Sequence, residues 1–360
     1  MNSIKSLKKY SDRYEISLIN LFGEWENYRS RLINVNFINF FLSKYFPIKK
    51  KISGFLKSRV FYFFLGIISI FELYSLLKRK KPDYIIVHLI TSVPLILLIL
   101  FKFDTKFILR ISGFPKLNLF RKCLWRLASK KVDKIFCPTS ETSNILKSER
   151  IFDDKKIYFL EDPIIQISKI NKEKNDKIDP KYCKKKYILA IGRLSNQKNF
   201  SLLIKFFKKI SENDKNLYLL IAGEGEQKSK IENLISSESL QDKVELLGFE
   251  KNIYKFLKYC HCFISTSLWE DPGFVIVEAA ATNAVVISSN CSSGPKEILS
   301  NGKGGFLFKN NDLESLIKAY QEFNFSDQKK IFLKKVNIKK KSRNYTFFNH
   351  FKKLNYYLSN

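Results

Sequence analysis

The chain has 360 residues, 45% of them hydrophobic, with 64 Lys and Arg against 34 Asp and Glu for a formal net charge of +30. That length is too great for one ordinary core and fits two domains of about 150 to 180 residues each. The charge calls for an anionic partner without choosing among nucleic acid, phosphorylated substrate and anionic membrane surface, and the heavy use of Lys, Ile, Asn and Phe equally fits the drift of an AT-rich genome.

In chain order, the amino terminus MNSIKSLKKYSDRYE has no apolar stretch of secretory type, which points to a cytoplasmic protein. A first strand is predicted over Tyr14 to Leu21. Residues 60–71 (VFYFFLGIISIF) are wholly apolar, but Glu72 and the basic run Lys78 to Lys81 leave them short of the ~20 residues that span a bilayer. Two readings stay open: a core helix, or a helix at an anionic membrane interface with Lys49 to Lys51, Lys57 and Arg59 on the head groups. From residue 83 onward, short apolar runs alternate with helix-length amphipathic segments, the pattern of βαβ units and a parallel sheet. Strands are expected at Asp83 to His88, Lys106 to Ile111, Asp133 to Pro138 and Ile157 to Leu160. Residues 168–186 carry almost no apolar side chains and read as a solvated linker.

A second sheet is predicted from Tyr187 to Ile191, Leu217 to Ala222, Val244 to Leu247, Cys262 to Ser267 and Val285 to Ser289. Nine of the thirteen glycines fall in this half, mostly just after strands, at the carboxyl ends where open α/β sheets bind ligands. The last stretch, Asn344 to Leu358, is aromatic and amphipathic and reads as a closing helix. The predicted division is thus 1–167, a linker 168–186, a Rossmann-like domain 187–340 and a closing helix 341–360. The six cysteines show no repeated C-x-x-C spacing and read as small buried hydrophobes of a reducing compartment. Cys260-His261-Cys262 enters a strand, where successive side chains face opposite ways, so no metal is expected.

Three loops carry the candidate chemistry. Gly192 ends a strand and lets the backbone approach a ligand, and Arg193 and Lys198 place two cations about one loop apart, a pair suited to a diphosphate. In SLWEDPGFVIVEAA, Pro272 and Gly273 turn the chain into a helix opening near Phe274 and Val275, whose free N–H groups suit an anion. Glu270 in that loop and Glu278 one turn into the helix are placed to accept from hydroxyls on either side of a phosphate. Cys291-Ser292-Ser293-Gly294-Pro295 is a third strand-to-helix loop, and Gly223-Glu224-Gly225 is a weak nucleotide signal alone. A basic loop, or a structural salt bridge at the glutamates, would account for any one of these elements; their order and spacing together are far more specific.

In that order, G-R-L-x-x-Q-K-N, A-G-E-G, L-G-F, E-x7-E, S-G-P-K-E-I-L and N-G-K-x-G-F-L-F make residues 83–310, and above all 187–308, resemble glycosyltransferase family 4, the group 1 glycosyltransferases. The resemblance implies an α/β fold of two Rossmann-like, doubly wound parallel-sheet domains facing across a cleft (GT-B). It further implies a retaining, metal-independent hexosyl transfer from a nucleotide-sugar, with no cofactor. By that resemblance Arg193 and Lys198 bind the donor diphosphate, Glu278 the ribose hydroxyls and Glu270 the transferred sugar. Gly192, Gly223, Glu224, Gly273, Phe274 and Val275 complete the donor side. The expected acceptor is a glycan or lipid-linked sugar in cell-surface polysaccharide synthesis, met on the cytoplasmic face of the membrane, with a UDP-sugar favoured as donor. His88, Ser112 and Gly113 are acceptor-side candidates, although His88 reads equally well as an ordinary loop histidine. The chain departs from the family in Ser112, where many members carry histidine, and in Asp162-Pro163 for Asn-Pro. Its opening also lacks the family's first strand and glycine-rich loop. A homologue that binds donor without turnover and a sugar-nucleotide epimerase on the same scaffold are the alternatives. A nucleic-acid binder is set aside, because no such module appears and the aromatic residues lie in apolar runs.

Overall fold

The computed structural model describes all residues except 22, 24, 33, 42–54, 89, 90, 114–116 and 293, and only the backbone of 27, 31 and 55–65. Lys49 to Lys51, Phe114, Pro115 and Ser293 from the sequence reading therefore lie outside the described residues, as do the side chains of Lys57 and Arg59. The chain divides into two units, Met1–Leu160 with Leu354–Asn360, and Glu161–Lys353.

In the first unit β1 (Ser17–Asn20) and β2 (Asn36–Asn39) form a parallel pair. A four-stranded parallel sheet follows in the order of the chain, β3 (Tyr84–His88), β4 (Lys106–Arg110), β5 (Lys134–Cys137) and β6 (Ile157–Phe159). All four residues of β5 are buried, as expected for a parallel strand covered on both faces. Crossover helices span Ser92–Leu100, Leu119–Ala128 and Ser140–Ser148. The last two start at Asn118 and Thr139, whose side chains accept from the N–H groups of Arg121 and Thr142. The apolar run before β3 lies in a helix, Phe55–Lys80. Leu73, Leu76 and Leu77 join the unit's core, while Ile67, Ile68 and Phe71 are exposed. Among the described residues, no helix is long and apolar enough to cross a membrane.

The second unit holds six parallel strands: β7 (Lys186–Ile191), β8 (Leu217–Ala222), β9 (Val244–Gly248), β10 (Cys262–Ser265), β11 (Val286–Ser289) and β12 (Phe306–Phe308). Their order is β12-β11-β10-β7-β8-β9. Two halves wind outward from the central pair β7 and β10, the order of a dinucleotide-binding sheet, and its switch point lies between those two strands. The strand β12 was not predicted, because three residues after a glycine-rich turn are too few to show a period.

Two boundaries differ from the sequence reading. The expected linker 168–186 contains the helices Ile167–Glu173 and Pro180–Cys183 and belongs to the second unit. Ile170 and Tyr182 are buried in its core, with the Tyr182 ring 5.3 Å from that of Phe256. One apolar side chain on a short helix is enough to dock it, and the surrounding lysines hid that signal. The final helix, Phe347–Ser359, is divided between the units at Lys353 and Leu354. Of the cysteines, Cys137, Cys262 and Cys291 are buried, but Cys123 and Cys183 are exposed, contrary to the uniform burial expected.

Candidate functional site

The loops after β7 and β8 are joined backbone to backbone. Gly192 N–H donates to Ala222 O at 3.0 Å and Leu194 N–H to Glu224 O at 2.9 Å. The approach is so close that a Cβ on Gly223 would stand 1.8 Å from the Gly192 carbonyl oxygen, which no side chain can occupy. Glu224 itself points into solvent. Lys198 closes a 3₁₀ turn, Asn196–Lys198, and its stem covers Gly192, Cε lying 3.0 Å from where a Cβ would be.

The loop after β10 is laced to that turn. Thr266 Oγ1 donates to Lys198 O at 2.9 Å, Leu268 N–H to Gln197 O at 2.8 Å and Gln197 Nε2 to Trp269 O at 2.8 Å. Glu270, 7% exposed, accepts at a single oxygen, Oε1, from Lys198 Nζ at 2.5 Å and from Ser267 Oγ at 2.6 Å. Gly273 then takes a φ of +95°, in the left-handed region that favours glycine, and starts the helix Phe274–Ala281. The N–H groups of Phe274 and Val275 have no acceptor among the described residues. The loop after β11 packs on the same turn, a Cβ on Gly294 falling 1.9 Å from Pro272 O.

Glu278 is half-buried one turn into that helix. Tyr254, on the helix Tyr254–Tyr259, donates its hydroxyl to Glu278 Oε1 at 2.9 Å, and Oε2 has no partner among the described residues. Burial raises the Glu278 pKa above the ordinary 4.5, opposed in part by the Tyr254 hydrogen bond and by the charge of Lys169. Burial likewise pushes the Tyr254 hydroxyl far up, so it stays a donor at any ordinary pH.

The structure thus brings Gly192, Lys198, Glu270 and Gly273 into one contact cluster at the switch point, with Gly223 and Glu224 joined to it through the backbone. Arg193, two residues past the end of β7, is exposed, with no side-chain partner among the described residues. One expectation changes in form: Lys198 and Glu270, read as separate ligands of phosphate and sugar, here pair with each other. Two fixed loops hold them at opposite ends of one salt bridge. His88, Ser112 and Gly113 belong to the other unit, at the carboxyl ends of the neighbouring strands β3 and β4, where His88 and Ser112 are exposed. Two contributors were missed. Ser267 stands three residues before Glu270 and could have been found by that spacing; Tyr254 is distant in sequence and gave no signal.

A sheet of order β12-β11-β10-β7-β8-β9, with a cation-bearing loop and an open helix start after its strands, defines a Rossmann-like unit. Residues 171–343 match the model of the family described as glycosyl transferases group 1. An uncharacterized glycosyltransferase of Methanocaldococcus jannaschii is 34% identical over 247 residues, which make up 64% of this chain and 61% of that protein. The chain therefore spans less than two thirds of that relative's length. The Escherichia coli UDP-Gal:alpha-D-GlcNAc-diphosphoundecaprenol alpha-1,3-galactosyltransferase is 29% identical over 276 residues, 70% of this chain and 68% of that protein. In fold, 99% of the chain superposes on 93% of a glycosyltransferase crystal structure from Rickettsia africae, with a TM-score of 0.79 at 16% identity. The architecture of two Rossmann-like units is accordingly that of GT-B proteins.

Proposed function

We propose that the protein is a retaining glycosyltransferase that moves a hexosyl group from a nucleotide diphosphate sugar to a glycan or lipid-linked acceptor in cell-surface polysaccharide synthesis. The observation that supports this reading is that the loop carrying Lys198 is laced to the loop that leads into the open helix start at Phe274 and Val275, with Arg193 exposed on the first of those loops. When the bond between sugar and phosphate breaks, negative charge grows on the leaving diphosphate. Fixed donors and cations stabilise that charge more than the ground state, and so lower the barrier without a divalent ion.

Pairing with Glu270 keeps Lys198 aimed at the loop while the site is unliganded. A diphosphate draws the ammonium away, and the freed Glu270 carboxylate turns to a hydroxyl of the transferred sugar. The open Oε2 of Glu278 accepts from the ribose. Retention follows if the acceptor attacks from the face of the departing phosphate, which itself takes the acceptor's proton. A UDP-sugar donor and a lipid-linked acceptor are favoured by the E. coli relative, whose name specifies both. Such an acceptor places the enzyme on the cytoplasmic face of the membrane, with His88, Ser112 and Gly113 on the acceptor side.

Incubation with a panel of UDP-, GDP- and ADP-sugars should raise the melting temperature with one class of donor, since a ligand at 100 times its Kd adds about 2.7 kcal/mol. Product analysis with and without a lipid-linked sugar then gives the reaction and the anomeric configuration. The proposal fails if no sugar nucleotide stabilises the protein, or if a C-epimerised nucleotide forms without acceptor.

A further inference from the structure

The helix Leu119–Ala128 has two apolar faces where a surface helix of a globular protein has one. Its inner face, Leu124, Trp125 and Ala128, is buried in the first unit's core at 8%, 2% and 0% exposure. On the opposite side Leu119, Phe120 and Leu127 stand 89%, 69% and 62% exposed, with Cys123 exposed among them. Positions 119, 123 and 127 follow at one-turn spacing and 120 lies beside 123 and 127, so these four make one continuous stripe.

The border of the stripe is basic. Arg126 on the helix and Lys130 just beyond it are exposed, and their side chains have no partner among the described residues. Lys122 holds Glu149 at 2.6 Å, and the helix itself contains no acidic residue.

We infer that this stripe is the surface by which the protein rests on an anionic membrane, the helix lying in the interface plane. Leu119, Phe120 and Leu127 then reach below the head groups, and Arg126 and Lys130 meet lipid phosphates. An apolar face on a helix that carries cations and no carboxylate of its own matches a surface that is apolar beneath and negative above. A second copy of the chain fits poorly, because the stripe offers no carboxylate to meet the partner's cations and the chain carries +30. The inference deepens the function proposed above by naming where the lipid-linked acceptor's membrane is met, and it rests on that reading for its purpose.

The test is vesicle co-sedimentation of the full chain, with phosphatidylcholine alone and with about a third phosphatidylglycerol. The wild type should bind the anionic vesicles, more weakly as salt rises, and leave the neutral ones unbound. Leu119→Ser/Phe120→Ser/Leu127→Ser should lower the partition coefficient at least ~10-fold with the melting temperature unchanged, since the three side chains are already in water. Arg126→Glu/Lys130→Glu should act likewise. Phe332→Ser/Leu333→Ser, at an exposed apolar pair on the second unit, should bind as the wild type does. Equal binding by the triple variant and wild type overturns the inference, as does a wild type that ignores anionic vesicles or a dimer that the triple variant dissolves. UDP-sugar stabilisation measured without vesicles separates the two readings: donor binding without vesicle binding sinks only this one, and the reverse sinks only the assignment of function.

Discussion

Replacing Lys198 by alanine should do more than remove the proposed phosphate ligand. Glu270 is 7% exposed, and its one bonded oxygen draws on Lys198 and Ser267 alone among the described residues. Without the ammonium, a buried carboxylate keeps a single hydroxyl. Breaking a buried pair by removing one partner costs about 3–5 kcal/mol. The Lys198 side chain is 18% exposed, so water entering the vacated space trims the cost to roughly 2–4 kcal/mol. For a unit of this size each kcal/mol is worth about 2–4 °C, which predicts a loss of roughly 5–15 °C in the melting temperature of the second unit. Lys198→Ala/Glu270→Gln, with no charge left to bury, should regain most of that loss. Both variants should bind UDP weakly, because neither has the cation. Scanning calorimetry of the full chain decides the matter: a single variant melting within about 1 °C of wild type, or a double variant no better than the single, would refute the argument.

Glu278→Gln should leave the fold intact and weaken UDP by about 10-fold or more, read by titration calorimetry against 2′,3′-dideoxy-UDP, whose affinity should not change. The pH dependence carries two opposite signs. Burial favours the protonated Glu278, so its contribution to stability is present at acid pH and is lost as pH rises from the ordinary 4.5 through the folded value. UDP affinity should instead fall as pH drops through that same value, because the carboxylate is the form proposed to accept from ribose. Tyr254→Phe removes a bond to the charged form and should move both midpoints upward; a pH profile unchanged from wild type counts against the pairing. Gly223→Ala, with a Cβ 1.8 Å from a backbone oxygen, should cost about 3 kcal/mol or more in urea unfolding. Gly302→Ala, at φ +90° with nothing within 4 Å, should cost only about 1–2 kcal/mol of backbone strain, and equal costs would show that the β7–β8 contact is not the tight one. Glu270→Gln should still bind UDP yet lose at least about 100-fold in transfer, measured on the lipid-linked acceptor.

The strands of the second unit were legible because a buried parallel strand is an unbroken apolar run, and each such run ends at a glycine or a small polar loop. The glutamates and cations were legible for the same reason: they follow those runs at fixed distances. Interactions between distant segments were not. Nothing in the sequence says that the Lys198 stem lies on Gly192 with its tip on Glu270, since that depends on β7 and β10 becoming neighbours. Tyr254 met Glu278 from a different helix, and the helices around Ile170 and Tyr182 were masked by the lysines beside them. The exposed stripe on Leu119–Ala128 was also invisible, because periodicity shows that a residue is apolar but not which of two apolar faces is buried.

The first unit is completed by residues that follow the second in the chain. Tyr357 lies between the rings of Phe136 and Tyr158, at 5.4 and 4.8 Å. Tyr14 donates its hydroxyl to Asn355 Oδ1 at 2.7 Å, and Tyr84 to Leu358 O at 2.5 Å. On the ribosome the earlier half must therefore wait, with the aromatic faces of β5 and β6 uncovered, while the whole of the later half is made. The amino-terminal unit is so kept from finishing until the other has been made, and that interval is when nascent chains would be most exposed to aggregation.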